Sequence, residues 1–436
     1  MRFAGARVAV ILVLALVAGS STVLAETPDS AWIRELQAGR AALAADDRAA
    51  ASAHLRAVDS LVGGHGGAKA ALALLATRDG RRDDALAWLR ALASTGLARP
   101  ALVDTAFHRW SGDADFHAVA ARFDSNAVPI VHSSVVRSLG DSTLLAEDLA
   151  WDPAARRFLV SSIHRRKIVS VDTAGVVRDF VAPGAAGAWG FYGLAVDSPQ
   201  GLLWASSAAG PECDVYAPAD SGRTALLAIR LSDAKLVRLV ELPRTTARQV
   251  LGDIAVGADG TVYASESLGG AVYRLRARGE SLEVLVRPGT FRSPQEPVLS
   301  KDARRLYVPD YSRGVAAVDL ATGSVRWLPK PYTLASGGID GLTRSGDRLI
   351  AVQNGQSPHR VLEMSLDSHG DAITAWRVLE QGSPRLGEPN HGVIVGQNYW
   401  FIGDSGWDRA GDDGRFDETA PGRPPVLLRM RLDGPR

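Results

Sequence analysis

Small or polar residues, most of them acids and amides, recur in this chain just ahead of short apolar runs. The stretches are Glu147-Asp148-Leu149-Ala150-Trp151-Asp152, Tyr192-Gly193-Leu194-Ala195-Val196-Asp197, Gly252-Asp253-Ile254-Ala255-Val256-Gly257, Gln295-Glu296-Pro297-Val298-Leu299-Ser300, Ile339-Asp340-Gly341-Leu342-Thr343 and Pro389-Asn390-His391-Gly392-Val393-Ile394. Gathered in one place, Glu147, Asp148, Asp253, Glu296, Asp340 and Glu388 would repel one another and hold their protons unless a cation sat among them. Hard oxygen ligands favour calcium over zinc or copper. His391 is the candidate general base, because an unperturbed histidine titrates near neutrality. The competing reading is an acid-lined, water-filled channel whose carboxylates cap strand ends by accepting bonds from backbone N–H groups.

The elements that must position these residues follow from the repeat. Each stretch leads into a tight turn and a second apolar run, such as Phe158-Leu159-Val160 or Val262-Tyr263-Ala264. A unit of roughly 43–60 residues cannot bury its own sheet faces, so successive copies must pack on one another. Six copies of a four-stranded unit predict a mainly β fold, a six-bladed β-propeller. Blade three is the clearest, with strands expected at 254–257, 261–265, 271–275 and 281–286. Blade six offers only three, at 392–395, 399–403 and 426–432, and the stretch 130–139 is expected to supply its fourth and close the ring. The inner strands all run the same way, so their first residues collect at one mouth of the central channel. The ends of the second strands add His164, Glu266, Asp310, Asn354 and Asp404 there. Two long loops rich in Gly, Pro and Asp, 208–224 and 405–424, open on that face and predict a lid or pocket wall. Tyr192, Glu296, Asn354, Asn390 and Asp404 are the candidate substrate-pocket residues.

Ahead of the ring the sequence changes character. Arg2 and Arg7 precede an apolar run over 8–18, and Val23-Leu24-Ala25 places small residues where a signal peptidase reads. A signal peptide over 1–25 predicts a periplasmic or secreted protein with no membrane span after cleavage. Cys213 is the single cysteine, so no internal disulfide forms. A net charge of +1, without long basic blocks, argues against nucleic acid as a partner. Over 26–127 Ala and Leu dominate at helical spacings, and Ala53-His54-Leu55-Arg56-Ala57-Val58 recurs 34 residues on as Ala87-Trp88-Leu89-Arg90-Ala91-Leu92. This part resembles a short tetratricopeptide array. The resemblance implies either a groove for a protein partner or padding against the propeller. The expected boundary lies near Val128-Pro129, with the propeller over 128–436.

Glu147-Asp148 followed by Trp151-Asp152-Pro153 resembles the opening motif of the gluconolactonase/luciferin-regenerating-enzyme family and of the paraoxonases. The resemblance covers about residues 128–434. It implies a six-bladed, calcium-dependent hydrolase of lactones and related esters. Glu147 would be a ligand of the catalytic metal, and Asp340-Gly341 matches a second ligand motif. Asp148 and Asp253 match aspartates that hold a deeper, structural calcium in paraoxonases. Two asparagine ligands of the family fall on Gly252 and Gln295, and the blade-two histidine of paraoxonases falls on Tyr192. Calcium is thus the expected cofactor, with another divalent cation as the variant. Its ligands are Glu147, Asp148, Asp253, Gln295 and Asp340, with His391, Glu147 and Asp340 as the catalytic group. The rival class is a non-catalytic propeller that binds a small molecule or a protein, with the helical part as its interaction module.

Overall fold

The computed structural model describes residues 31–98, 105–245 and 247–432, so the expected signal peptide lies outside the described residues. Six antiparallel, four-stranded sheets follow one another along the chain. Blade one comprises β2 (Ala146–Asp152), β3 (Arg157–Ser162), β4 (Lys167–Asp172) and β5 (Val177–Val181). Blade two has β6 (Gly190–Asp197), β7 (Leu202–Ala208), β8 (Thr224–Arg230) and β9 (Leu236–Glu241), and blade three β10 (Leu251–Val256), β11 (Val262–Glu266), β12 (Ala271–Leu275) and β13 (Glu283–Val286). Blade four has β14 (Val298–Leu299), β15 (Arg305–Asp310), β16 (Gly314–Asp319) and β17 (Val325–Trp327). Blade five has β18 (Ile339–Ser345), β19 (Arg348–Gln353), β20 (Arg360–Leu366) and β21 (Ile373–Gln381). In blade six, β22 (Asn390–Val395), β23 (Asn398–Gly403) and β24 (Val426–Arg431) are completed by β1 (Ser133–Ser138), which pairs with β24. The ring closes as the sequence predicts.

The core lies between blades, because each sheet buries both faces against its neighbours. Leu159 and Ile168 of blade one pack with Phe191, Leu203 and Leu227 of blade two, all buried. Each such side chain contributes about 1.5–3 kcal/mol by leaving water. A hydroxyl ties each of the first three joints. Ser161 Oγ accepts from Asp148 N (2.8 Å) and donates to Tyr192 O (2.6 Å). Ser206 Oγ accepts from Gly193 N (2.8 Å) and donates to Gly252 O, and Ser265 Oγ donates to Gln295 O (2.6 Å).

Five inner strands carry an irregularity at the same place. The pairing register shifts between Ala146 and Leu149, Phe191 and Leu194, Leu251 and Ile254, Ile339 and Leu342, and Asn390 and Gly392. Those intervals contain Glu147-Asp148, Tyr192-Gly193, Gly252-Asp253, Asp340-Gly341 and His391. A bulge frees its residues from the pleat and re-aims their side chains. In blade four the inner strand is only two residues long, and Gln295-Glu296 precede it.

Five α-helices stand before the ring: α1 (Ala31–Ala44), α2 (Arg48–Val62), α3 (Gly66–Arg78), α4 (Arg82–Ala93) and α5 (Ala114–Ala127). Asp47 caps α2 by accepting from Ala50 N (3.0 Å), and Gly63 ends it in the left-handed conformation that glycine adopts without strain. Leu55 and Val58 on α2, and their counterparts Leu89 and Leu92 on α4, are all buried. The helices seat on the linker between blades four and five and on the loop between β19 and β20. Lys69, fully buried, donates to Asp59 Oδ1 (2.7 Å) and stands 3.8 Å from the ring centre of Tyr332, whose hydroxyl also bonds Asp59. Lys330 Nζ donates to Gly63 O (2.8 Å), Ala98 N to Ser357 O (2.9 Å) and Gln381 Nε2 to Val128 O (2.7 Å). Arg360, also fully buried, donates to Thr95 O (3.2 Å) and to Gln353 Oε1 (2.5 Å). Those propeller segments all open on the face where the inner strands begin. No helix among the described residues is long and apolar enough to cross a membrane.

Candidate metal centre at the channel mouth

A cavity of about 270 Å³ opens where the inner strands begin. Its lining includes the carboxylates Glu147, Asp253, Asp340, Glu388 and Glu212, the amides Gln295 and Asn354, and the rings of Tyr192, Tyr311 and Trp407. Glu212 and Trp407 come from the two long loops, which therefore wall the cavity. The loops are clasped together by buried His164. Its Nδ1 meets Glu212 O (2.6 Å), its Nε2 meets Glu418 Oε1 (2.8 Å), and its ring lies against Phe416.

The acids at the bulges are oriented by neighbours. Glu147 Oε2 accepts from Asn390 Nδ2 (2.7 Å) and Trp407 Nε1 (2.6 Å). Asp340 Oδ2 accepts from Asn354 Nδ2 (2.6 Å), and Asn354 Oδ1 accepts from the Tyr311 hydroxyl (3.1 Å). Gln295 commits its amide nitrogen to Ser293 Oγ (2.8 Å), so its carbonyl oxygen is the end that could reach an ion. Asp148 acts as a strut between blades, accepting from Leu149 N (2.6 Å) and Leu194 N (2.5 Å), and Glu296 does the same toward Leu342 N (2.5 Å).

His391 is fully buried and stands behind the cavity lining, at the meeting point of four blades. Its Nδ1 lies 3.4 Å from Asp253 Oδ1 and 3.6 Å from Asp148 Oδ1, and its Nε2 lies 3.6 Å from Asp340 Oδ1. Burial alone would push the imidazolium down. Asp253, then Asp148, Asp340 and Glu296, override that and hold it well above the ordinary histidine value. The acids move in the matching direction. Burial, then Asp340, raises Glu147 far above the carboxylate range. Burial carries Asp253 up to about 7 against the pull of His391, and burial with Asp340 carries Glu388 up to about 7.

The donor set fits a cation. Asp253 Oδ1 and Asn390 Oδ1 are buried without a hydrogen-bond partner. The carboxylates of Glu147 and Asp253 lie within 4.8 Å of each other and of a His391 ring nitrogen, as do those of Asp148 and Glu296, and with the ring protonated the carboxylate oxygens are the atoms that could hold an ion. Buried polar atoms left unpaired are costly, and an ion among them would satisfy several at once.

Not every predicted residue reaches this centre. Glu296 and Asn390 lie behind the lining beside His391 and Glu147. Asp404 is not in the lining and is held by Arg385 Nε (2.6 Å) and Arg423 (3.0 Å). Asp310 and Glu266 cap backbone: Asp310 accepts from Arg292 N (2.6 Å) and Ser312 N (2.9 Å), and Glu266 accepts from Val250 N (3.0 Å) and Gly269 N (2.6 Å). Sequence reasoning missed Arg248, in the linker between blades two and three, and Tyr311, just past β15. Neither carries a pattern that distinguishes it from a surface residue.

No protein-family model and no curated protein matches the sequence. Among solved structures, the chain is similar to a PQQ-bound aldose sugar dehydrogenase from Streptomyces coelicolor, at 17% identity and TM-score 0.48, over 70% of this chain and 99% of that one. It is also similar to a luciferin-regenerating enzyme, at 13% identity and TM-score 0.49, over 70% of this chain and 95% of that one. A gluconolactonase from Xanthomonas campestris aligns at 17% identity and TM-score 0.45, over 68% of this chain and 88% of that one.

Proposed function

We propose that the protein is an exported, calcium-binding hydrolase of lactones or related esters, working at the channel mouth. The observation that carries this reading is the convergence of Glu147, Asp253 and Asp340, from blades one, three and five, on one small cavity with unpaired polar atoms behind it. Glu147, Asp253, Asp340 and the Gln295 carbonyl would hold the ion. When bound, such a cation polarises the scissile carbonyl and stabilises the developing oxyanion. Trp407 and Asn390 fix Glu147, and Asn354 fixes Asp340, so the ligands need little rearrangement. Glu388 faces the cavity with a value of about 7, which suits it to take a proton from the attacking water. His391 stands behind the lining and is held protonated by its carboxylate neighbours, so it serves better as a fixed charge than as the base expected from the sequence.

The test is metal analysis of the purified protein, followed by a lactone panel with and without chelator. Stoichiometric calcium, turnover abolished by chelation, and loss of both in Glu147→Ala/Asp340→Ala are expected. Protein that holds no divalent ion and hydrolyses no lactone would sink the reading. One observation favours a binding protein instead: Gly252 offers no side chain where the resemblance implies an asparagine ligand. That reading predicts metal and ligand binding without turnover, with a protein partner on the helices.

A further inference from the structure

The two segments that carry Asp340 and its partner Asn354 meet the helices at one buried side chain. Arg360 opens β20 and pairs with Gln353, the last residue of β19, and both are fully buried. Arg360 Nε donates to Gln353 Oε1 (2.5 Å), and its Nη1 donates to Thr95 O (3.2 Å), in the turn after α4. Gln353 Nε2 donates in turn to Ala335 O (2.6 Å) and Gly337 O (2.7 Å), in the linker that leads into β18. Gln353 also pairs with Ile339, at the edge of the bulge that carries Asp340. Asn354, next in the chain, donates to Asp340 Oδ2 (2.6 Å). The helix side of this contact is itself fixed. Asn126 Nδ2 donates to Ala93 O (2.8 Å) and Leu97 O (3.0 Å) across the turn, and Ala335 packs among Leu97 and Phe123. Gly96 comes so close that a Cβ there would stand 3.1 Å from Arg360 Nη1 and 3.3 Å from the Trp376 ring.

A guanidinium is a costly way to fill this space. Burial lowers it to about 10, so it stays charged at neutral pH, and both of its acceptors are neutral oxygens. An apolar side chain of similar volume would pack there with less penalty. What the planar fork adds is a fixed direction to two oxygens in separate segments. We propose that Arg360 is a positioning residue for the candidate ion site: it locks the end of β19 to the helices and, through Gln353 and Asn354, sets where the Asp340 carboxylate stands. Contacts behind a ligating carboxylate orient it, and here they run back into the helical part. The helices are then a buttress for the blade-five wall of the site. Glu147 and Asp253, on blades one and three, lie outside this chain of contacts and serve as internal references. The proposal rests on Asp340 being an ion ligand, as read above, and its first test needs no ion.

The experiment is amide hydrogen exchange, followed by mass spectrometry, on the metal-free full chain. In Arg360→Met, peptides over 337–342 and 353–357 are expected to exchange about tenfold faster, while peptides carrying Glu147 and Asp253 keep their native rates. Gly96→Ala presses on the same guanidinium from the helix side and is expected to speed the same two peptides less. It takes the place of Arg360→Met if that variant does not fold. Unchanged exchange over 337–342 overturns the proposal. A rise spread evenly over all six blades overturns it too, because that is lost stability and not lost position. Calcium titration by calorimetry is the second readout. Kd is expected to rise about fivefold or more in Arg360→Met, with no further rise when Arg360→Met is added to Asn354→Ala. Additive losses overturn the route through Asn354. Local loosening in a protein that takes up no calcium keeps the positioning role and removes the ion.

Discussion

Raising the pH of the metal-free protein from about 5 to about 8 is expected to weaken it, and calcium to restore it. The perturbation acts on Asp253, whose carboxyl is carried from 3.8 to about 7 by burial and by its acidic neighbours. An acid that holds its proton more tightly folded than unfolded stabilises the fold below its unfolded value. That stabilisation disappears as pH rises through the folded value. Here the window runs from about 4 to about 7. From pH 5 upward about two units of that window are crossed, which corresponds to at most about 3 kcal/mol at 1.36 kcal/mol per unit. For a chain of this length that is a fall of about 3 °C in Tm. Exposed acids held low by a cation, such as Asp113 at about 2 beside Arg82, are ionised in both states above about pH 5 and are common to both proteins compared. His65, lowered to about 4 by burial, works in the opposite sense below about 6.5. The assay is therefore a difference: thermal melts in chelator across the window for the native protein and for Asp253→Asn, which share His65. The native protein should lose more stability with rising pH, and calcium should protect it more at pH 8 than at pH 5. Parallel pH profiles for the two proteins, or calcium protection independent of pH, would refute the account of a self-repelling acid cluster.

Three further outcomes follow from the packing. Asp59→Ala leaves Lys69 buried and unpaired and should cost about 3–5 kcal/mol, read as a lower urea midpoint for the helical part. A chain stopped before Val426 loses β24, opens edges on β1 and β23, and should elute as aggregate in size-exclusion chromatography. In Gly193→Ala the new Cβ would stand 2.7 Å from Asp253 Cα and Gly252 O, at the joint between blades two and three. That overpacking should cost about 1–3 kcal/mol and displace Asp253, weakening calcium binding in a metal titration.

The beat of polar residue and apolar run made the ring legible, because it marks the bulge of each inner strand, where the pleat breaks and a side chain turns toward the axis. Glu147, Asp253 and Asp340 were readable for that reason. Depth was not. Tyr192 and His391 lie in corresponding bulges, yet one lines the cavity and the other stands behind it. Nor does the sequence separate an acid that faces the channel from one that caps a strand, since Asp310 and Asp340 both stand among small and apolar residues. Ser161, Ser206 and Ser265 sit at equivalent points of β3, β7 and β11, but serines in strands carry no signature of an inter-blade bond. Where the helices would settle depended on Lys69, Lys330 and Arg360, cations that a sequence reading leaves in solvent.

The seating of the helices on the face where the cavity opens, and not on the rear or the rim, gives the ring a shaded side. On the side of blades four and five the approach to the cavity is therefore flanked by helix.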